Sequence, residues 1–295
     1  MSNLSSTSRR GATLPEVCVI AVSLLIAAAC VLVVMMSRGP RVMCRLPAQK
    51  DITQIRGILQ AMQVWSHNNK GIYPRPSLLD VNNATTAEPG SAKDHTANIF
   101  SFLIYEGAVA PEIMVSPAEA NTTYIERFDA YQYSEPNAAV IPAGALWDPA
   151  FKSDFSPDAP APSNNSYAHA IPSGPRLKQW GNTASATEAV FGNRGPKITG
   201  PLKDPSKPSF DIDSNTLLIH GRRESWEGYI AYNDGHIAFE NKLNPKPLRY
   251  TRADGKKCPD LLFYDEPDDA VGLNAFLGVF TTAGDTPAKF TAIWD

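Results

Sequence analysis

Three groups of side chains in this sequence could do chemistry. His220, Asp234 and His236 lie near enough in the chain to meet across strands, which would suit a metal ion or an acid–base pair. Asp234 also stands directly before Gly235, however, and an Asp-Gly turn is favoured on backbone grounds alone. The second group, Asp265-Glu266-Pro267-Asp268-Asp269, gathers carboxylates on a loop, and calcium takes oxygen ligands from such flexible segments. Asp265, Glu266, Asp268 and Asp269 are therefore calcium candidates, although their spacing is not that of an EF-hand and a solvated acidic loop is the simpler account of them. The third is a single carboxylate, Glu16, at the head of residues 17–36, which carry no charge. A carboxylate placed there is costly in an apolar setting and usually functional.

Nothing else suggests catalysis. The sequence has no Gly-x-Ser-x-Gly elbow, no phosphate-cradling glycine loop and no dinucleotide fingerprint. With no Cys-x-x-Cys or Cys/His cluster, structural zinc is not expected either. The expected protein is not an enzyme and needs no cofactor beyond the possible calcium. A net charge of −3 and a pI near 6.0 give no basic footprint for nucleic acid. Cys18 and Cys30 fall in the apolar run, and whether Cys44 and Cys258 pair is left open.

The elements that carry these residues follow from periodicity. Residues 17–36 are long enough to cross a hydrocarbon core of ~30 Å as a helix. Beyond Gly39-Pro40, the apolar residues Ile52, Ile55, Leu59, Met62 and Trp65 recur at helical spacing, predicting an amphipathic helix that stops near Asn68-Asn69-Lys70-Gly71. Gly39-Pro40 and Pro47 are expected to kink or interrupt the join. A second helix is predicted over Thr96–Tyr105, with Asp94 as its cap and Gly107 as its stop. Tyr229-Ile230-Ala231-Tyr232 and His236-Ile237-Ala238-Phe239 flank Asn233-Asp234-Gly235 as a hairpin, with residues 216–220 as a neighbouring strand. Residues 141–175, rich in proline, read as an ordered surface excursion or a flexible loop, not a core element.

Arg9-Arg10-Gly11-Ala12-Thr13-Leu14-Pro15-Glu16, followed by the uncharged run, resembles the processing signal of type IV prepilin-like and pseudopilin proteins. His220 followed by Asp234-Gly235 is similar to a histidine and Asp-Gly hairpin near the end of large bacterial prepilin-like proteins, here with a four-residue insertion. The resemblance implies cleavage by a prepilin peptidase between Gly11 and Ala12 and methylation of Ala12, where the family usually has phenylalanine. Glu16 would then act as the assembly carboxylate, meeting the amino terminus of a neighbouring subunit. It also implies an α+β fold: a long N-terminal helix, half transmembrane and half amphipathic, packed on an antiparallel sheet with long proline-rich loops. The divisions would be a leader at 1–11, a transmembrane helix at 12–36 and an extracytoplasmic domain at 37–295. Some secretion pseudopilins carry C-terminal calcium, in line with the acidic loop.

The expected function is that of a pilin-like or pseudopilin subunit of a type IV pilus-like or type II secretion-like filament. Its partners would be the prepilin peptidase, other pilin-like subunits and the inner membrane. The large domain would lie in the periplasm or outside the cell, although Arg38, Arg41, Arg45 and Lys50 after the run argue for the opposite orientation by charge count. The rival expectation is an anchored binding or enzymatic domain that uses the pilin-type start only for targeting.

Overall fold

The computed structural model describes residues 14–199 and 208–295. The chain divides into two units, Met1–Pro47 and Ala48–Asp295. The expected leader, with Gly11 and Ala12 at the cut, lies outside the described residues. Helix α1 is assigned over Leu14–Asn68, Gly39, Pro40 and Pro47 included, so the expected interruption is absent.

Within the first unit, Val19, Ile20, Val22, Leu24, Leu25 and Ile26 are exposed by between 56% and 70%. At 100° per residue these positions go all the way round the helix. The Ser23 hydroxyl donates to the Val19 carbonyl at 2.8 Å, so the one polar side chain among them is satisfied within the helix.

The expected transmembrane half is corrected. Among the described residues no helix is long and apolar enough to cross a membrane. The transmembrane helix, the single-pass anchor in the inner membrane and the extracytoplasmic placement of the large domain are therefore not supported.

The second unit is α+β. The head part of α1 buries Ile55, Ile58, Leu59 and Met62 to 1% exposure or less, and α1 stops where Lys70 and Gly71 turn left-handed with φ of 57° and 78°. A short helix α2 (Pro76–Leu79) follows. The loop beyond it is clamped from inside: Lys93, fully buried, donates to Asp80 Oδ2 and Asn83 Oδ1 at 2.7 Å each, and to the Asp80 carbonyl. Helix α3 (Thr96–Tyr105) is buried from Thr96 to Ile104. Its polar residues survive burial by pairing: Asn98 Oδ1 accepts from the Trp147 indole at 2.9 Å, and the Ser101 hydroxyl donates to the Asp148 carbonyl at 2.8 Å. Asp94 is not the cap of α3; it accepts from the Ser77 backbone and hydroxyl and from Arg75.

Six strands form one antiparallel sheet: β1 (Tyr167–Ala170), β2 (Ala189–Asn193), β3 (Gly228–Tyr232), β4 (Ile237–Glu240), β7 (Leu277–Thr282) and β8 (Thr291–Ile293), in the order β4-β3-β2-β1-β7-β8. A separate ribbon pairs β5 (Arg249–Thr251) with β6 (Lys257–Pro259). The β3–β4 hairpin turns through Gly235 at φ 91°, with Ala231 opposite Ile237. Residues 216–220 are not a strand: a 3-10 turn over Asn215–Leu218 takes their place, with the Ser214 hydroxyl accepting from the Thr216 N–H.

The proline-rich stretch is not a surface excursion. It supplies β1, buried throughout and central in the sheet, and the side chains of Trp147, Phe151 and Phe155, each exposed by 1% or less. Proline count marks irregular backbone, but an irregular backbone can still carry core aromatics between its turns. His169 of β1 shows how tightly this core is tied. The Phe280 N–H donates to the Thr96 hydroxyl (2.7 Å), which donates to His169 Nε2 (2.8 Å), and His169 Nδ1 donates to the Ala170 carbonyl (2.8 Å).

Gly192 faces the backbone of β3, and a Cβ there would lie 2.4 Å from the Tyr229 carbonyl oxygen and 3.0 Å from Ile230 Cα. Because backbone atoms in a paired strand cannot step aside, Gly192→Ala is expected to destabilise the second unit by about 2 kcal/mol. Urea unfolding midpoints of the two proteins check this; equal midpoints would show that β2 and β3 are free to separate.

Candidate functional site

Asp51 is a buried charge whose partners come from four different segments of the second unit. It sits on α1 in phase with Ile55, Ile58 and Met62, and is fully buried with them. Its Oδ1 accepts from the Ser116 hydroxyl at 2.6 Å and the Tyr167 hydroxyl at 2.7 Å. Its Oδ2 accepts from Asn193 Nδ2 at 2.9 Å and from His220 Nε2 at 2.7 Å. These donors come from the segment after α3, from β1, from the end of β2 and from the loop before β3. One carboxylate thus joins the helix to two strands and two loops. Burial, and next the Asp51 charge, push the Tyr167 phenol well above its ordinary range, so Tyr167 remains a donor.

Ser116 donates to the carboxylate and not to the imidazole, so serine and histidine do not face each other as a nucleophile–base pair. The His220 ring is packed edge-on against Tyr229 (5.2 Å between centroids) and Phe239 (6.3 Å).

The grouping of His220, Asp234 and His236 comes apart. His220 turns inward to Asp51, whereas Asp234 Oδ1 accepts from the His236 N–H and meets His236 Nδ1 at 2.5 Å on the hairpin. His236 also stacks on Tyr232, with centroids 4.4 Å apart. The turn explains Asp234 in full.

The acidic run is likewise taken up by protein partners. Asp265 pairs with Arg176 at 2.5 Å; Asp268 accepts from the Tyr250 hydroxyl at 2.9 Å. Asp269 accepts the N–H groups of Val271, Leu273 and Asn274, and Glu266, buried, accepts from the Leu261 N–H and Asn274 Nδ2. All four calcium candidates are taken up by protein donors, with Asn274 serving both Asp269 and Glu266. Among the described residues no group of three or more His, Cys, Asp or Glu could hold a metal ion. Cys258 is a free, buried thiol. Glu16 falls within α1.

A residue outside the acidic run stands out instead. Asp260 is 3% exposed; its Oδ2 accepts the Ala275 N–H at 2.7 Å, while its buried Oδ1 has no hydrogen-bond partner. Burial pushes Asp260 up to about 7 and Glu266 up to about 9, each carboxyl raising or being raised by acidic neighbours. Sequence gives no warning of Asp260, because nothing in Cys258-Pro259-Asp260-Leu261 distinguishes a buried carboxyl from a turn residue. Asp51 did carry a signal, being a carboxylate in register with an apolar helical stripe.

Asp51→Ala would leave four buried donors without an acceptor, and is expected to cost roughly 3–5 kcal/mol, read by urea unfolding. A loss under about 1 kcal/mol would mean that the four donors find other partners. The pH dependence follows from the raised carboxyls. A folded-state pKa above the unfolded value means stability is intact below about pH 4 and is lost as pH rises through the folded values. His169 and His95, lowered to about 4 by burial, act oppositely, losing stability as pH falls from about 6.5 toward 4. Asp260→Asn removes one of the first kind only. Its melting temperature should match the parent near pH 4 and exceed it above pH 7; parallel profiles across that range would contradict the raised Asp260.

No family model, curated protein or solved structure matches the chain, so the expected pseudopilin, type II secretion, methylation and periplasmic assignments find no support there.

Proposed function

We propose that the protein is a pilin-like structural subunit, matured by a prepilin peptidase and built into an ordered assembly through the N-terminal part of α1. The observation that carries this reading is the apolar girdle of Val19, Ile20, Val22, Leu24, Leu25 and Ile26, exposed on every side of the helix. A helix that is apolar all round is stable only when covered, and at roughly 25 cal/mol per Å² the area left in water here would be a steady drive to associate. Equivalent helices from further copies cover it without any new chemistry, and the internally bonded Ser23 hydroxyl leaves nothing polar to obstruct packing.

Sequence adds the means of control. The cut between Gly11 and Ala12 would remove the basic flank of Arg9 and Arg10 and place a new amino terminus one turn from Glu16. A carboxylate meeting the charged terminus of a neighbour contributes little net stability once both are desolvated, but it selects one axial offset over others. The head, with its Asp51-centred core and no nucleophile–base pair at that centre, fits a load-carrying role.

Co-expression of the full chain with a prepilin peptidase, followed by mass spectrometry, should give a mature product beginning at Ala12. Sedimentation should show that product in large assemblies, which Glu16→Ala reduces at least about tenfold while Asp234→Asn, on the exposed hairpin, does not. A chain that keeps its first eleven residues, or that stays monomeric after cleavage, would refute the reading.

A further inference from the structure

The six-stranded sheet ends on β4 at one side and on β8 at the other, and the two edges are unlike. β8 is guarded. Its register against β7 shifts between Phe280 and Thr282, where the Thr282 hydroxyl takes the Thr291 N–H, and an irregular edge of this kind resists pairing with another chain. β4 has no such guard. Ile237-Ala238-Phe239 holds no proline and no lysine, and its register with β3 is unbroken from Gly228–Glu240 to Ala231–Ile237. The Tyr232 N–H donates to the His236 carbonyl at 3.0 Å, which makes that pair a hydrogen-bonded one. Antiparallel ladders alternate, so Ala238 turns its N–H and C=O to Ile230, while those of Ile237 and Phe239 point away from β3. Among the described residues no other backbone group bonds to them. The Phe239 ring, packed on Tyr229 with centroids 5.1 Å apart, is left 49% exposed.

This strand is complementary to itself. Laid antiparallel on a second copy and centred on Ala238, it sets the outward groups of Ile237 against those of Phe239 from the other copy, and the reverse. An offset by one residue opposes outward groups to inward ones. Centring the pair on Ile237 or Phe239 instead gives only one of the two an outward partner within the strand. The side chains match in the same register. Phe239 falls beside Ile237 of the second copy, an aromatic and β-branched pair. On the other face His236, bonded to Asp234 through Nδ1, brings its Nε2 to the Glu240 carboxylate of the second copy, of which Tyr232 takes only Oε1. We propose that β4 is a twofold docking edge at which the heads of two copies join into one continuous sheet, with Ile237 opposite Phe239 and His236 opposite Glu240 across the seam. A twofold contact closes on itself and makes pairs, not chains, so it is distinct from the repeated contact proposed for α1. One strand from each copy makes a small and therefore weak interface, formed where copies are already concentrated.

The contact does not rest on the assembly helix, so each can fail alone. Sedimentation of the uncleaved full chain, in detergent that covers the apolar girdle, reads it from about 1 µM to about 500 µM. Dimers should accumulate with concentration, and Phe239→Lys, at an exposed position, should weaken them at least about tenfold. His236→Glu sets carboxylates against each other across the seam and should weaken pairing as much; adding Glu240→His should recover most of it. With all four cysteines changed to alanine, Ala238→Cys should link two copies on mild oxidation, because facing residues of a non-bonded antiparallel pair have Cα atoms about 4.5 Å apart. Val271→Cys, exposed elsewhere on the head, should not. A chain that stays monomeric to about 500 µM would overturn the proposal. So would dimers indifferent to the substitutions at Phe239 and His236, or ones that Val271→Cys links as fast as Ala238→Cys.

Discussion

A buried carboxylate accepting four hydrogen bonds is the constraint on which the second unit depends. Asp51 brings α1 to β1, to β2 and to the loop bearing His220 through bonds of 2.6–2.9 Å. Taking such a charge out of water is expensive, and only a full set of donors makes it tolerable. The converse also holds. Tyr167, Asn193, Ser116 and His220 are each committed to an acceptor on another element, so the helix cannot slide along the sheet without breaking all of them. Apolar packing by Ile55, Ile58, Leu59 and Met62 supplies most of the attraction but is indifferent to small displacements. The carboxylate fixes one register among many greasy ones.

The same division of labour recurs in the core. Phe100 packs edge-on against Phe191 and His169, with centroids 5.6 Å apart in both cases, and Trp65 against Phe102 at 4.7 Å. Between these rings run polar threads, such as Phe280 to Thr96 to His169, in which every donor has one acceptor. Residues 18–29 of the first unit show the opposite condition: apolar side chains with nothing laid over them.

Legibility in the sequence tracked how local each signal was. Helix α3 and the β3–β4 hairpin were readable because their periodicity and stops lie within a dozen or so residues: Gly107 at φ 68° and Gly235 at φ 91° sit where the turns require them. The role of residues 141–175 was not readable. Whether Trp147 or β1 is buried depends on what arrives from elsewhere in the chain, and proline says nothing about that. Residues 216–220 looked like a strand by composition, yet Ser214 capping and the pull of Asp51 on His220 turn them otherwise. The apolar run was conspicuous, but length and hydropathy alone overreached in giving it a bilayer. As for chemistry, the sequence flagged Asp265, Glu266, Asp268 and Asp269 by their density, whereas an unsatisfied carboxylate oxygen belongs to Asp260, an isolated residue that only the fold makes unusual.

The clamp on Lys93 has a practical corollary. With its ammonium enclosed by Asp80 and Asn83 and no surface of its own, this lysine is closed to acylating reagents and to trypsin while the loop after α2 stays shut. The other lysines in the second unit whose side chains are described, such as Lys70 and Lys246, are not so enclosed. Modification at Lys93 would thus chart the opening of that loop against a background of freely labelled amines, giving the fold an intrinsic clock for its local breathing.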